Sequence, residues 1–264
     1  MSQHTNLIIF VNGFTHGCSP FREYWMKNSA KTDEEKNEFV SAANNYFNEE
    51  NQTLVNLFID GSCRKGSIFN YIGFTTARKR FKLGRNFGKV WLEKMQSTTA
   101  ESKKIDLENC TLNFVTHSMG GAYGEGMISF LLENNLKVNK AIHLSTADAF
   151  YIKVVNSSEK VTRIQLGVDR DWTIKRYADP FTRGEKLIIP TVDFYAEIIA
   201  DHQPMIPNVS PKDQIKYNYH AWTKWDLKVF EAIKTLETIQ SKELKPKDNS
   251  VTKNEYQFRF VKVG

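Results

Sequence analysis

The chain has 264 residues, 41% of them apolar, and a formal net charge of +6, which provides for one substantial core and suits one large domain better than two small ones. No apolar run approaches the roughly 20 residues needed to cross a bilayer, and the absence of a helix-turn-helix, an RNA-binding aromatic motif or a zinc finger argues against nucleic acid as a partner. Cys18, Cys63 and Cys110 lack CxxC spacing, which argues against a disulfide framework and structural zinc and favours a reducing compartment. The first residues run straight into an apolar strand with no basic leader or cleavage site, so a cytoplasmic location is expected, or export without a cleavable signal.

In chain order, six short segments rich in β-branched and aromatic residues read as buried strands: 7–11, 54–59, 111–116, 140–144, 161–166 and 192–199. The stretches between them are long enough for helices, expected at 33–49, 88–101, 121–133 and 225–241; the last two carry apolar residues at three- and four-residue spacing. This alternation predicts an α/β fold with a mostly parallel, doubly wound sheet and helices on both faces, in a single domain over 1–264. Two insertions, 17–50 and 61–88, follow strand ends on one side of that sheet, where lids and pockets are built. Their aromatic residues Tyr24, Trp25, Phe69, Tyr71 and Phe74 serve there or fill a core under long loops. After the last helix, 245–250 reads as a polar linker and 255–261, with alternating residues, as a half-exposed strand on the sheet edge.

Much of the positive charge sits in Arg78-Lys79-Arg80-Phe81-Lys82-Leu83-Gly84-Arg85. Such a run is either a solvated loop or helix face or a contact for phospholipid head groups or another polyanion. Nucleotide binding is disfavoured, because Gly61-Ser62-Cys63-Arg64-Lys65-Gly66-Ser67 lacks the lysine after its last glycine and Gly120 to Gly126 lack GxGxxG spacing.

The most informative segment is Val115-Thr116-His117-Ser118-Met119-Gly120-Gly121, which follows an apolar strand and precedes small residues at Ala122 and Gly124. A serine hydroxyl is a weak nucleophile and must be held clear of the sheet, beside a base and beside backbone donors for the oxyanion. A tight strand-to-helix turn meets that need, with small residues two before and two after the serine. His-Ser-Met-Gly-Gly after a strand resembles the nucleophile elbow of the lipase and esterase branch of the α/β-hydrolases. Thr116 departs from the pattern, which usually has glycine there.

The resemblance implies a Ser-His-Asp serine hydrolase with Ser118 as nucleophile and the Met119 N–H in the oxyanion hole. The loop after the first strand, Val11-Asn12-Gly13-Phe14, would supply the second oxyanion N–H from Phe14. The family's chain order of serine, acid, histidine sets aside His16; after the strand at 161–166, Asp171, followed by Trp172-Thr173-Ile174, resembles the family's acid, with Asp169 as the alternative. His220, with His202 as the alternative, remains for the base. Asp148 ends the preceding strand and reads as a loop or helix cap. Such a triad needs no metal or organic cofactor. Lipid or other carboxylic esters are the implied substrates, and the basic run, if it is more than a solvated face, would suit phospholipids and peripheral contact with an anionic membrane. The competing reading is a catalytically inactive hydrolase-fold protein that binds a lipid or a partner protein.

Overall fold

Strand β1 (His4–Asn12) carries an unbroken run of buried side chains from Asn6 to Asn12, as a strand covered on both faces requires. In the computed structural model, which describes residues 4–13, 38–61, 77–97, 105–146, 149–155, 160–168, 189, 192–198, 229–241, 250–253 and 256–260, β1 lies inside an eight-stranded sheet. The other strands are β2 (Gln52–Asp60), β3 (Cys110–His117), β4 (Val138–Leu144), β5 (Thr162–Val168), β6 (Phe194–Ile198), β7 (Ser250–Lys253) and β8 (Tyr256–Phe260), and their order is β2-β1-β3-β4-β5-β6-β8-β7. From β2 to β6 every neighbouring pair is parallel; β8 runs antiparallel to β6, and β7 antiparallel to β8.

Helices cover both faces. Ile8 and Phe10 of β1 pack with α1 (Glu38–Phe47) and α4 (Val229–Ser241), together with Val115, Ile142 and Ile164. The alternate residues Leu7, Ile9 and Val11 pack with α2 (Ala77–Ser97) and α3 (Gly120–Glu133), together with Leu112 and Phe114. This period-two division between two apolar layers is the α/β architecture expected from the sequence, and the sheet fits an α/β-hydrolase. Among the described residues, no helix is long and apolar enough to cross a membrane.

Beyond shifts of a few residues at element ends, two placements differ from expectation. The second helix begins at Ala77 rather than near residue 88, so the basic run forms its first turns. Its glycines are contact points and not loop punctuation: a Cβ on Gly84 would strike the Tyr123 carbonyl, and one on Gly126 of α3 would strike the Phe81 carbonyl. The strand expected on the sheet edge, β8, is flanked by β6 and β7, so Ser250–Lys253 forms the edge where a linker had been expected to end.

Candidate functional site

β1 is hydrogen-bonded to β2 on one side and to β3 on the other, so the strand order reverses between β1 and β3. In open α/β sheets the crevice beyond the carboxyl ends of the strands at such a switch point is where ligands bind. Gly13 follows β1 there, and Ser118 follows β3.

β3 is buried throughout and passes into α3 with only Ser118 and Met119 between them. So short a strand-to-helix passage places Ser118 at φ 55, in the left-handed region, which costs a residue with a Cβ about 1–2 kcal/mol. The turn is held from both sides: the Ser118 N–H donates to the Leu144 carbonyl at 3.0 Å, and the Gly121 N–H donates to the Ser118 carbonyl at 3.2 Å. Met119 caps α3 with a helical backbone and no side-chain cap, so its N–H lies at the positive end of the helix dipole. Gly13 presses against this turn. A Cβ built on it would lie 2.5 Å from the Ser118 Cβ, 2.7 Å from the His117 carbonyl oxygen and 2.9 Å from the Met119 nitrogen. The end of β1 and the serine turn are therefore in backbone contact, and only glycine fits.

The rim around the turn is tied down by polar contacts. The Asn12 Oδ1 accepts the Gly61 N–H at 2.9 Å, and Arg80 of α2, 4% exposed, donates to the Gly61 carbonyl at 2.7 Å. Away from the turn, at the C-terminal end of α3, Arg85 makes a paired contact with Glu133 at 2.6 Å and donates to the Ser129 hydroxyl. Two arginines of the basic run thus serve internal contacts, while Arg78, Lys79 and Lys82 are exposed. After β4, a short 3-10 turn, Ala149–Tyr151, leaves Phe150 and Tyr151 about half exposed, with their rings edge to face.

Behind the serine turn runs a buried polar chain that sequence reasoning missed. Thr116 Oγ1 lies 2.8 Å from His143 Nδ1, and His143 Nε2 lies 3.1 Å from Glu125 Oε1. Arg163 donates from Nε and Nη2 to the two Glu125 oxygens, at 2.9 and 3.2 Å. Burial alone would raise the Glu125 carboxyl, but the His143 hydrogen bond and the charge of Arg163 outweigh it and hold the group below the usual carboxylate range. These four residues come from β3, β4, α3 and β5, and no local motif joins them in the sequence.

Of the residues expected in the site, Ser118 and Met119 occupy the turn. Phe14, Asp171, Asp169, His220 and His202 lie outside the described residues, as do His16 and Asp148. β5 ends at Val168, one residue before Asp169, and its carboxyl end faces the same side of the parallel sheet as Ser118. No group of three or more His, Cys, Asp or Glu side chains among the described residues is placed to hold a metal ion.

No family model matches the chain, and no curated protein matches it. Among solved structures, it is similar to a protein of Lactobacillus plantarum WCFS1 provisionally described as a cell surface hydrolase, with 10% identity over 93% of this chain and 96% of that one and a TM-score of 0.41. It is also similar to a metagenomic carboxyl esterase, with 12% identity over 88% of this chain and 76% of that one and a TM-score of 0.37. At such distances, what those proteins act on says nothing of this chain.

Proposed function

We propose that the chain is a serine hydrolase that cleaves carboxylic esters, with Ser118 as nucleophile. One observation carries the reading: Ser118 sits at φ 55 between β3 and the start of α3, with Gly13 packed against it at the switch point of the sheet. A strained serine at a strand-to-helix turn is the arrangement that exposes an Oγ to substrate and aims the next N–H at a developing oxyanion.

In this reading the Ser118 Oγ attacks the ester carbonyl while His220 takes its proton and later gives it to the departing alcohol. Asp171 orients the imidazole and stabilises its charged form, and the N–H groups of Met119 and Phe14 receive the oxyanion. Asp169 and His202 are the alternatives for acid and base. Lipid esters are the favoured substrates, on the sequence resemblance and on the apolar side chains of Phe150 and Tyr151 left on the rim.

A fluorophosphonate probe tests the reading, since labelling requires an activated serine. The expected result is labelling mapped to Ser118 and abolished in Ser118→Ala, with p-nitrophenyl ester turnover falling by several orders of magnitude in Ser118→Ala, Asp171→Asn and His220→Ala. Ser118→Ala turnover within about tenfold of wild type would remove Ser118 from the mechanism. A folded wild-type chain that is never labelled would favour the non-catalytic binding protein instead.

A further inference from the structure

Thr116 stands two residues before the serine, where the turn calls for a small side chain, and the structure shows what makes room for it. Its Cγ2 lies where α3 passes closest, and the facing residue is Gly124, on which a Cβ would come within 2.7 Å of that methyl. Its hydroxyl is engaged by His143, and from there the buried chain continues through Glu125 to Arg163.

The pairing at the far end of this chain is fixed by its chemistry. Arg163 carries donors only, and the Glu125 carboxylate that it grips is an acceptor only. His143 Nε2 therefore donates to Glu125, and its Nδ1 pairs with the Thr116 hydroxyl. Every member then has a partner, in a setting where His143 and Glu125 are wholly buried and an unmet polar atom would be costly. A parallel set of backbone bonds crosses the same strands: the Ser118 N–H donates to Leu144 beside His143, and the Ser145 N–H donates to Leu166 on β5.

We propose that Thr116 and His143 are positioning residues for Ser118: the chain Thr116–His143–Glu125–Arg163 locks the strand end that carries the serine to α3 and to β5, fixing the left-handed turn relative to the strand that leads to Asp169 and Asp171. Neither residue touches the substrate; both act through the backbone of the turn. The inference rests on Ser118 being the nucleophile. It assigns the departure at Thr116 a use, since glycine there would remove the hydroxyl that pairs with His143 Nδ1.

The test compares Thr116→Val, which keeps the shape and removes the hydroxyl, with Thr116→Ser, which keeps the hydroxyl and removes the methyl, in the full chain. Thr116→Cys, of similar size with only a weak donor, stands in if Thr116→Val does not fold. The readouts are kcat and KM for p-nitrophenyl butyrate, the rate of fluorophosphonate labelling and the thermal midpoint. Thr116→Val (or Thr116→Cys) is expected to lower kcat and labelling by roughly 10–100-fold with KM changed by less than about threefold, the range that displacement of a catalytic group by up to an ångström produces. Thr116→Ser should recover most of that loss. A kcat for Thr116→Val within about threefold of wild type, or a loss in Thr116→Ser as large as in Thr116→Val, would overturn the proposal, because packing and not the hydroxyl would then be what matters. If wild type is labelled on Ser118 while the variants label equally fast, only the positioning role fails; if Ser118 is never labelled in wild type, the nucleophile reading fails and takes this inference with it.

Discussion

A single methyl group at position 13 probes the contact on which the site depends. In Gly13→Ala the new Cβ falls short of an ordinary 3.4 Å contact by about 0.9 Å at the Ser118 Cβ, and it also crowds the His117 carbonyl and the Met119 nitrogen. None of the three atoms can be moved by rotating a side chain, so either the end of β1 or the serine turn must shift by most of an ångström. Overpacking of this kind costs about 1–3 kcal/mol of stability, and a displacement of about 1 Å at reacting groups costs on the order of 100-fold in rate. Activity should therefore fall much further than stability. The assay is steady-state hydrolysis of p-nitrophenyl butyrate alongside urea unfolding, with the expectation of a 10–100-fold loss in kcat, roughly, and a folded protein at room temperature. Turnover within about threefold of wild type would refute the backbone contact between Gly13 and Ser118 as an element of the site.

Two further predictions concern the buried charges. Glu125→Gln leaves the Arg163 guanidinium without its counter-charge in the interior, which should cost about 3–5 kcal/mol in urea unfolding; a change below about 1 kcal/mol would mean that the pair is not desolvated. Because the Glu125 carboxyl is held below its ordinary value near 4.5, its contribution is complete above that value and is lost as pH falls through the lower folded value. The acid limb of wild-type stability should therefore flatten in Glu125→Gln, and superimposable limbs would exclude this group as its source. On α2, Arg80→Gln should destabilise the fold by about 1–3 kcal/mol through the Gly61 carbonyl it leaves unpaired, whereas Arg78→Gln should change stability by less than about 0.5 kcal/mol. If the helix meets an anionic surface, it does so through Arg78, Lys79 and Lys82, and replacing those three with glutamine should weaken binding to anionic vesicles at low salt; unchanged binding would assign them to a solvated helix face.

The central strands and the serine turn were legible because each rests on local chemistry. Ile8 and Phe10 alternate with Leu7 and Ile9 on opposite faces, and His117-Ser118-Met119-Gly120 carries its own geometric demand. The start of α2 was not legible, since Gly84 and Gly88 among basic residues look like loop punctuation until α3 is seen lying against them. The place of β8 depends on β7 joining it, a pairing that no residue of β8 announces. The chain from Thr116 to Arg163 was hidden for a related reason: β3, β4, α3 and β5 each give it one polar residue, and any of these alone reads as an isolated irregularity in an apolar element.

The clasp at Gly61 has a consequence for how this protein can vary. Asn12 holds the N–H of Gly61 and Arg80 its carbonyl, so the chain leaving β2 and the first turn of α2, where it returns, are fastened to each other and to the end of β1. These contacts fix where the chain leaves β2 and where it enters α2. Doubling the length of a flexible connection costs only about 0.6 kcal/mol in closure entropy. A change in the length of the connection between Gly61 and Ala77 is therefore expected to leave this clasp, and the serine turn beside it, in place.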